Sequence, residues 1–313
     1  MDKLAVFSGN ANYKLATAIC KELKINVSKA LVGRFSEGEI RVQLKENVRG
    51  KDVFVVQPTC PPSNETLMEL LIIIDALRRA SANRITAVMP YFGYARQDRK
   101  DLPRVPITAK LVANLLTNSG VDRILTMDLH AGQIQGFFDI PLDHLYAVNV
   151  FVNYFKKTKN LRKLTIVGPD VGSIKMARAY AKRFSANLAI VDKRRISPEE
   201  AEAMHILGKV EGRNVIIVDD LIATGGSLVQ AAEALQKNGA RDIYAAVSHG
   251  ILTGNALENI DKCKALKQLV ITNSIPLSNE KKHPKIKVLS IAPVMAEAIK
   301  RIHNEESVSS LFD

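Results

Sequence analysis

The run VIIVDDLIATGGS, Val215 to Ser227, sets two adjacent carboxylates after an apolar stretch and closes on a pair of glycines that opens a helix. Each part suits a sugar phosphate. Gly225 and Gly226 let backbone amides face a phosphate at a helix N-terminus, where the helix dipole favours an anion, while Thr224 and Ser227 add hydroxyl donors. Asp219 and Asp220 lie one step upstream, where the vicinal hydroxyls of a bound ribose need acceptors. A turn that merely caps a helix needs one Ser or Asp, not this whole series.

Other candidates sit at comparable places. Arg96–Lys100 carries three cations within five residues, enough to neutralise a triphosphate, and the planar fork of arginine suits phosphate oxygens. Such a cluster is commonly a solvated face; its position after the apolar run Arg84–Pro90 and the turn Tyr91–Gly93 is what points to a site. Asp170-Val171-Gly172-Ser173 leads into a helix, so its amides can receive a phosphate. His130 follows another apolar run, although a lone histidine is ordinarily a hydrogen-bonded structural residue. Lys193 and Arg195 begin a basic stretch with little apolar anchoring, expected to be mobile and able to bring positive charge over a phosphoryl group. A solvated basic loop is the plain alternative.

These positions need a scaffold, and the apolar runs supply one. Asp52–Gln57, Arg84–Pro90, Asp122–Asp128, Lys163–Gly168, Asn187–Val191, Asn214–Asp219 and Asp242–Val247 read as buried strands. Glu65–Ala80, Ile107–Asn118, Gly172–Phe184, Thr224–Asn238 and Pro293–His303 read as helices with apolar positions three and four apart. The alternation implies an α/β fold with parallel sheets flanked by helices, whose ligands sit at the carboxyl ends of the strands. It runs through the chain twice, with a seam near Leu145–Asn149, and 313 residues suit two domains, 1–146 and 147–313.

Composition narrows the class. Apolar residues make 47% and charged residues 24%, as in an ordinary folded protein, and the net charge of +12 attracts polyanions. Nucleic acid is disfavoured by the absence of Trp, the 5% aromatic content and the lack of a basic arm. Three widely spaced cysteines, Cys20, Cys60 and Cys263, offer no disulfide framework and fit a reducing cytoplasm. No apolar run is long enough to be a signal peptide or a membrane span, and GxxxxGK[ST], GxGxxG and HExxH do not occur.

The strand, DD and TGGS of Val215–Ser227 resemble the phosphoribosyl-binding loop of type I phosphoribosyltransferases. RFSEGE (Arg34–Glu39), YFGYARQDRK (Tyr91–Lys100), DLHAGQIQGFF (Asp128–Phe138), GPDVGS (Gly168–Ser173), VDKRR (Val191–Arg195) and the ending ESVSSLF resemble segments of ribose-phosphate pyrophosphokinases, in order and over nearly the whole chain. The resemblance is to the phosphate-activated class I of that family. It implies two tandem type I phosphoribosyltransferase-like domains, the first binding ATP and the second ribose 5-phosphate. It implies transfer of the diphosphate of Mg-ATP to the anomeric hydroxyl of ribose 5-phosphate.

By that resemblance Phe35, Glu37, Gly38, Glu39, Arg96 and Gln97 contact ATP, and Phe35 is suited to stack on adenine. His130 and Asp170 ligate Mg²⁺, Lys193 is the catalytic lysine, and Arg195 touches substrate or ATP. Asp219, Asp220, Ala223, Thr224, Gly225, Gly226 and Ser227, with Arg195, hold ribose 5-phosphate, and Asp170, Val171, Gly172 and Ser173 hold the diphosphate of the product. An allosteric homohexamer follows from the same likeness, and the composition points to a cytoplasmic protein that binds neither nucleic acid nor membrane. Three positions depart from the pattern: Ala223 and Glu37 stand where Asp is usual, and Ser173 where Gly is usual. Ala223 removes an anionic acceptor and makes ATGGS look like the loop of an adenine phosphoribosyltransferase, one alternative. A non-catalytic regulatory subunit is another.

Overall fold

The computed structural model describes residues 3–158, 161–194 and 203–311. The chain separates into two compact units, Met1–Tyr146 with Ser274–Pro276 and Ser290–Asp313, and Ala147–Asn273 with Leu277–Leu289.

The first unit is built from β1 (Leu4–Ser8), α1 (Tyr13–Leu23), β2 (Ala30–Arg34), β3 (Ile40–Leu44), β4 (Asp52–Val56), α2 (Ser63–Arg79), β5 (Arg84–Met89), α3 (Thr108–Ser119), β6 (Arg123–Met127) and β7 (Leu142–Leu145). Its main sheet has the order β1-β4-β5-β6-β7 and is parallel throughout. β2 and β3 form a separate antiparallel hairpin. Leu67, Leu70, Ile74 and Leu77 recur along α2 at spacings of three and four, and they bury one stripe against Val53, Val55 and Ile85 of the sheet. Each such side chain contributes about 1.5–3 kcal/mol on leaving water.

The second unit contains α4 (Val148–Thr158), β8 (Leu164–Gly168), α5 (Ile174–Phe184), β9 (Asn187–Arg194), β10 (Ala203–Leu207), β11 (Asn214–Ile222), α6 (Gly226–Lys237), β12 (Ile243–Gly250), α7 (Ala256–Lys262), β13 (Leu266–Thr272) and β14 (Ile286–Leu289). The sheet order is β10-β9-β8-β11-β12-β13-β14, and among the described strands of this sheet only the β9/β10 pairing is antiparallel. Val215, Ile217, Ala245 and Val247 pack on Ala231 and Leu235 of α6 and on Ile260 of α7.

The apolar-run reading finds β4, β5, β6, β8, β9, β11 and β12 but passes over the rest. β2 and β3 alternate between half-buried and exposed positions, and β7 is a short edge strand with the polar pair Asp143-His144.

One boundary differs from expectation. The last helix, α8 (Ala292–His303), lies against α1 and belongs to the first unit, not to a domain running from 147 to 313. A polar clamp holds its end. Arg84 donates from Nε to Asp52 Oδ1 at 2.8 Å, and from Nη2 to Asp52 Oδ2 at 2.6 Å and to the Ile302 carbonyl at 2.9 Å. His303 Nδ1 meets Asp52 Oδ2 at 2.8 Å. A helix more than 200 positions later in the chain is thus tied to the amino ends of β4 and β5 by groups that carry no sequence pattern of their own. Asp52→Ala should cost about 2–3 kcal/mol by leaving Arg84 without its carboxylate, read as a lowered thermal melting temperature with ligand-free protein.

Candidate active site

β9, β8 and β11 are neighbours in the second sheet, so the turns after them share one carboxyl edge. β11 runs to Ile222, three residues past the expected end at Asp219, so both carboxylates belong to the strand, and α6 begins at Gly226 instead of Thr224. Between them the chain makes a short loop whose carbonyls are pulled outward. The Ile222 carbonyl accepts from Ile251 N and Leu252 N at 3.0 and 3.2 Å, and that of Ala223 from Thr253 N at 2.9 Å. That of Gly225 accepts from Val229 N at 3.0 Å.

A trans peptide directs the N–H that follows a carbonyl to the opposite side, and no peptide of this loop is cis. The amides therefore face the other way. Among the described residues the N–H groups of Thr224, Gly225, Gly226 and Ser227 have no acceptor. Gly225 has φ +77°, the left-handed conformation that lets the run of amides turn into the helix. The result is a row of donors at the start of α6, which is an anion cradle.

Asp219 stands beside it. Burial, then the neighbouring charge of Asp220, then that of Asp170 hold its carboxyl well above the usual carboxylate range. Its Oδ1 accepts the Asp220 N–H at 3.0 Å. Three carboxylates that feel one another in this way attract hydroxyl donors or a cation.

Asp170 is partly spent on its own loop. Its Oδ1 accepts the Ser173 N–H at 2.8 Å, and Ser173 Oγ donates to the Asp170 carbonyl at 2.7 Å. The Ser173 hydroxyl thus faces inward, and a Cβ at Gly168 would lie 2.5 Å from its Oγ. What this loop presents is the pair of N–H groups of Val171 and Gly172, for which the described residues supply no acceptor.

Lys193 differs from expectation as well. β9 does not stop at Val191 but continues to Arg194, and Lys193 is paired in register with Met204 of β10, so it sits on the end of a paired strand instead of in an open loop. Arg195 lies outside the described residues.

In the first unit, the turns after β5 and β6 enclose a cavity of about 270 Å³ lined by Arg96, Gln97, Arg99, Asp101 and His130 among others. Arg96 and Gln97 are therefore brought together with His130, which is far from them in sequence. Gln133 Nε2 donates to Asp98 Oδ2 at 2.6 Å and ties the two turns to each other. His144 was invisible as a functional residue, because nothing around it in sequence forms a motif. It is buried on β7, and its Nε2 accepts the Leu129 N–H at 2.8 Å, which fixes the turn one residue before His130. That turn starts at Asp128 with φ +39°, so it needs such a restraint.

The hairpin residues form the turn between β2 and β3. Phe35 N donates to the Glu39 carbonyl at 2.8 Å and Gly38 N to the Phe35 carbonyl at 3.0 Å, which closes the tip between β2 and β3. Phe35 is 46% exposed with the Arg41 guanidinium 5.5 Å over its ring, and Glu37 and Glu39 are exposed. Among the described residues no hydrogen bond, ion pair or ring contact joins Phe35, Glu37 or Glu39 to Arg96, Gln97 or His130. Arg34 instead pairs with Glu65 of α2, and Asn10 Nδ2 donates to the Val32 carbonyl at 3.2 Å and to Glu69 Oε2 at 2.8 Å, so β2 is anchored at its middle and beside the tip.

A metal must fit these donors if it is to act here. Among the described residues no group of three or more His, Cys, Asp or Glu side chains could hold an ion unaided. Mg²⁺ keeps waters and phosphate oxygens and takes only one or two carboxylates from protein, and Asp170, with one oxygen on the Ser173 N–H, is a single carboxylate of that kind.

Two family models match the chain: the N-terminal domain of ribose phosphate pyrophosphokinase over residues 4–120, and the phosphoribosyl synthetase-associated domain over residues 193–313. The chain is 55% identical over 311 residues to the ribose-phosphate pyrophosphokinase of Rhizobium meliloti, covering 99% of this chain and 100% of that one. It is 54% identical over 307 residues to that of Campylobacter jejuni, covering 98% of each. The crystal structure of phosphoribosylpyrophosphate synthetase from Mycobacterium smegmatis superposes with a TM-score of 0.91 at 39% identity, over 97% of this chain and 99% of that one.

The raised Asp219 carboxyl has a consequence for stability. Between the unfolded and folded pKa values the folded chain holds a proton that the unfolded chain releases, so stability falls as pH rises through that window and stays lower above it. Asp219→Asn, neutral at every pH, should melt higher than the parent at neutral pH, and this advantage should vanish below the ordinary carboxylate range in a pH series of thermal melts.

Proposed function

The chain belongs to the ribose-phosphate pyrophosphokinase family and makes phosphoribosyl pyrophosphate from ribose 5-phosphate and ATP, and we propose that its two strand edges divide those substrates between them. The row of unpaired N–H groups at Thr224–Ser227 carries this reading, because a phosphate monoester is the ligand such a row accepts. The 5-phosphate sits there, and Asp219 and Asp220 accept hydrogen bonds from the sugar hydroxyls. Sugar hydroxyls are also the neutral donors that a crowded, protonation-prone carboxyl tolerates best. Ala223 costs one acceptor relative to the usual pattern, while its carbonyl still serves the loop.

ATP belongs to the first unit. Arg96 and Gln97 meet the nucleotide phosphates in the cavity they share with His130. The anomeric hydroxyl of ribose 5-phosphate attacks the β-phosphorus in line, a new O–P bond forms, the bond between the α,β-bridging oxygen and the β-phosphorus breaks, and AMP leaves with its electron pair. Such a transfer is governed by positioning and by charge on the moving group, with little need for a strong base. Val171 and Gly172 N–H receive the diphosphate in the product, and Lys193 with Arg195 supplies positive charge to it. Asp170 and His130 are the residues that would hold Mg²⁺, which would neutralise phosphate charge.

We assign the family's class I behaviour to this chain: a cytoplasmic homohexamer activated by phosphate and inhibited by ADP. The exposed hairpin tip supports self-association, as do Leu111 and Leu115, which are 55% and 41% exposed on one face of α3. The three cysteines are buried and none forms a disulfide, and no helix among the described residues is long and apolar enough to cross a membrane.

Release of AMP from ATP and ribose 5-phosphate, followed in a coupled assay with and without phosphate, tests the assignment. Lys193→Ala should lower kcat by about 10²–10³ while the melting temperature stays put, and parental turnover in that variant removes the lysine from the mechanism. Chelation of divalent ions should abolish AMP formation and added Mg²⁺ should restore it; full activity in the chelator would exclude the metal role given to Asp170 and His130.

A further inference from the structure

One carbonyl of the phosphate loop is held by a side chain, and no motif announces it. Ile222, Ala223 and Gly225 give their carbonyls to backbone N–H groups, whereas the Thr224 carbonyl accepts Asn259 Nδ2 at 2.9 Å. Asn259 rides on α7, whose first turn is set directly behind the loop. The Ala256 carbonyl lies 3.7 Å from where a Cβ on Gly225 would stand, and Ala256 and Ile260 are fully buried.

The peptide joining Thr224 to Gly225 is one that can turn over. A flip needs compensating rotation about ψ of one residue and φ of the next, and Gly225 has no Cβ to resist it. A flipped peptide would offer a carbonyl oxygen where the Gly225 N–H now points, exchanging an attraction for a repulsion at the phosphate. The glycine that makes the cradle possible therefore also makes it reversible. The bond from Asn259 removes that freedom.

We propose that Asn259 is a positioning residue for ribose 5-phosphate: it fixes the Thr224–Gly225 peptide so that the Gly225 N–H stays in the cradle. The proposal rests on the reading of Thr224–Ser227 as the 5-phosphate site. It places a specificity-bearing group on α7, outside every segment that the family resemblance marks.

The test compares Asn259→Leu, similar in size but without a donor, with Asn259→Gln, which keeps the donor on a longer arm. Ribose 5-phosphate binding is measured by calorimetry in the presence of Mg²⁺ and α,β-methylene ATP, and KM for each substrate by AMP release. Asn259→Leu is expected to weaken ribose 5-phosphate binding and raise its KM about tenfold, with KM for ATP and the melting temperature unchanged. Asn259→Gln should recover part of the loss. Parental ribose 5-phosphate affinity in Asn259→Leu overturns the proposal while leaving the 5-phosphate site intact, as does a loss shared equally by both substrates together with a lowered melting temperature. Failure of the parent itself to bind ribose 5-phosphate overturns the site and the proposal together.

Discussion

A phosphate bound by backbone N–H groups can be held only if the carbonyls of the same peptides are drawn away from it, since each peptide carries both ends of its dipole. In this chain that requirement falls on β12, the turn after it, α6 and α7. Ile251, Leu252, Thr253 and Val229 supply the N–H groups that pull the carbonyls of Ile222, Ala223 and Gly225 aside. The glycines make the turn sterically possible, but the surrounding elements give it a direction. The sheet order follows from the same need, because β11 must have β12 beside it for its loop to find those partners.

The cradle is purchased with electrostatic tension nearby. Asp219, Asp220 and Asp170 stand close enough for burial and mutual repulsion to drive the Asp219 carboxyl upward, a state that costs the ligand-free fold stability at neutral pH. A sugar's hydroxyls and a divalent ion are what such a group of acids lacks. Strain of this kind is typical of sites kept ready for a ligand. The excess of basic residues, net +12 for the chain, offsets it only at a distance, as a field that draws phosphorylated substrates toward the molecule.

The first unit solves a different problem with the same architecture. Its cavity gathers Arg96, Gln97 and His130 from two neighbouring strand ends, and the turns are stiffened by the Gln133–Asp98 bond and by His144 beneath Leu129. His144 illustrates how a buried histidine can serve a site without touching a ligand: a nitrogen that accepts a backbone N–H orients the next residue. The hairpin with Phe35, Glu37 and Glu39 is anchored along β2, at Val32 by Asn10 and at Arg34 by Glu65, and its tip is exposed. Those anchors confer direction on a two-stranded element that has little core of its own.

Several features were legible in the residues alone, because they depend on local chemistry. Apolar runs marked the strands that lead to the loops at Gly168–Ser173 and Thr224–Ser227 and to the cation cluster at Arg96–Lys100, although β9 and β11 each run three residues past the ends read from the runs. Other features depend on which distant groups meet, and pattern does not carry that information. The return of α8 to the first unit rests on Asp52, Arg84 and His303, three polar residues scattered over the chain. The inward turn of Ser173, the extension of β9 through Lys193, and the restraints by His144 and Asn259 were likewise settled by tertiary packing. Sequence determines what a backbone segment is able to do; only the neighbours assembled around it decide which way its N–H groups and side chains point, since a hydrogen bond is a matter of direction and distance that composition does not record.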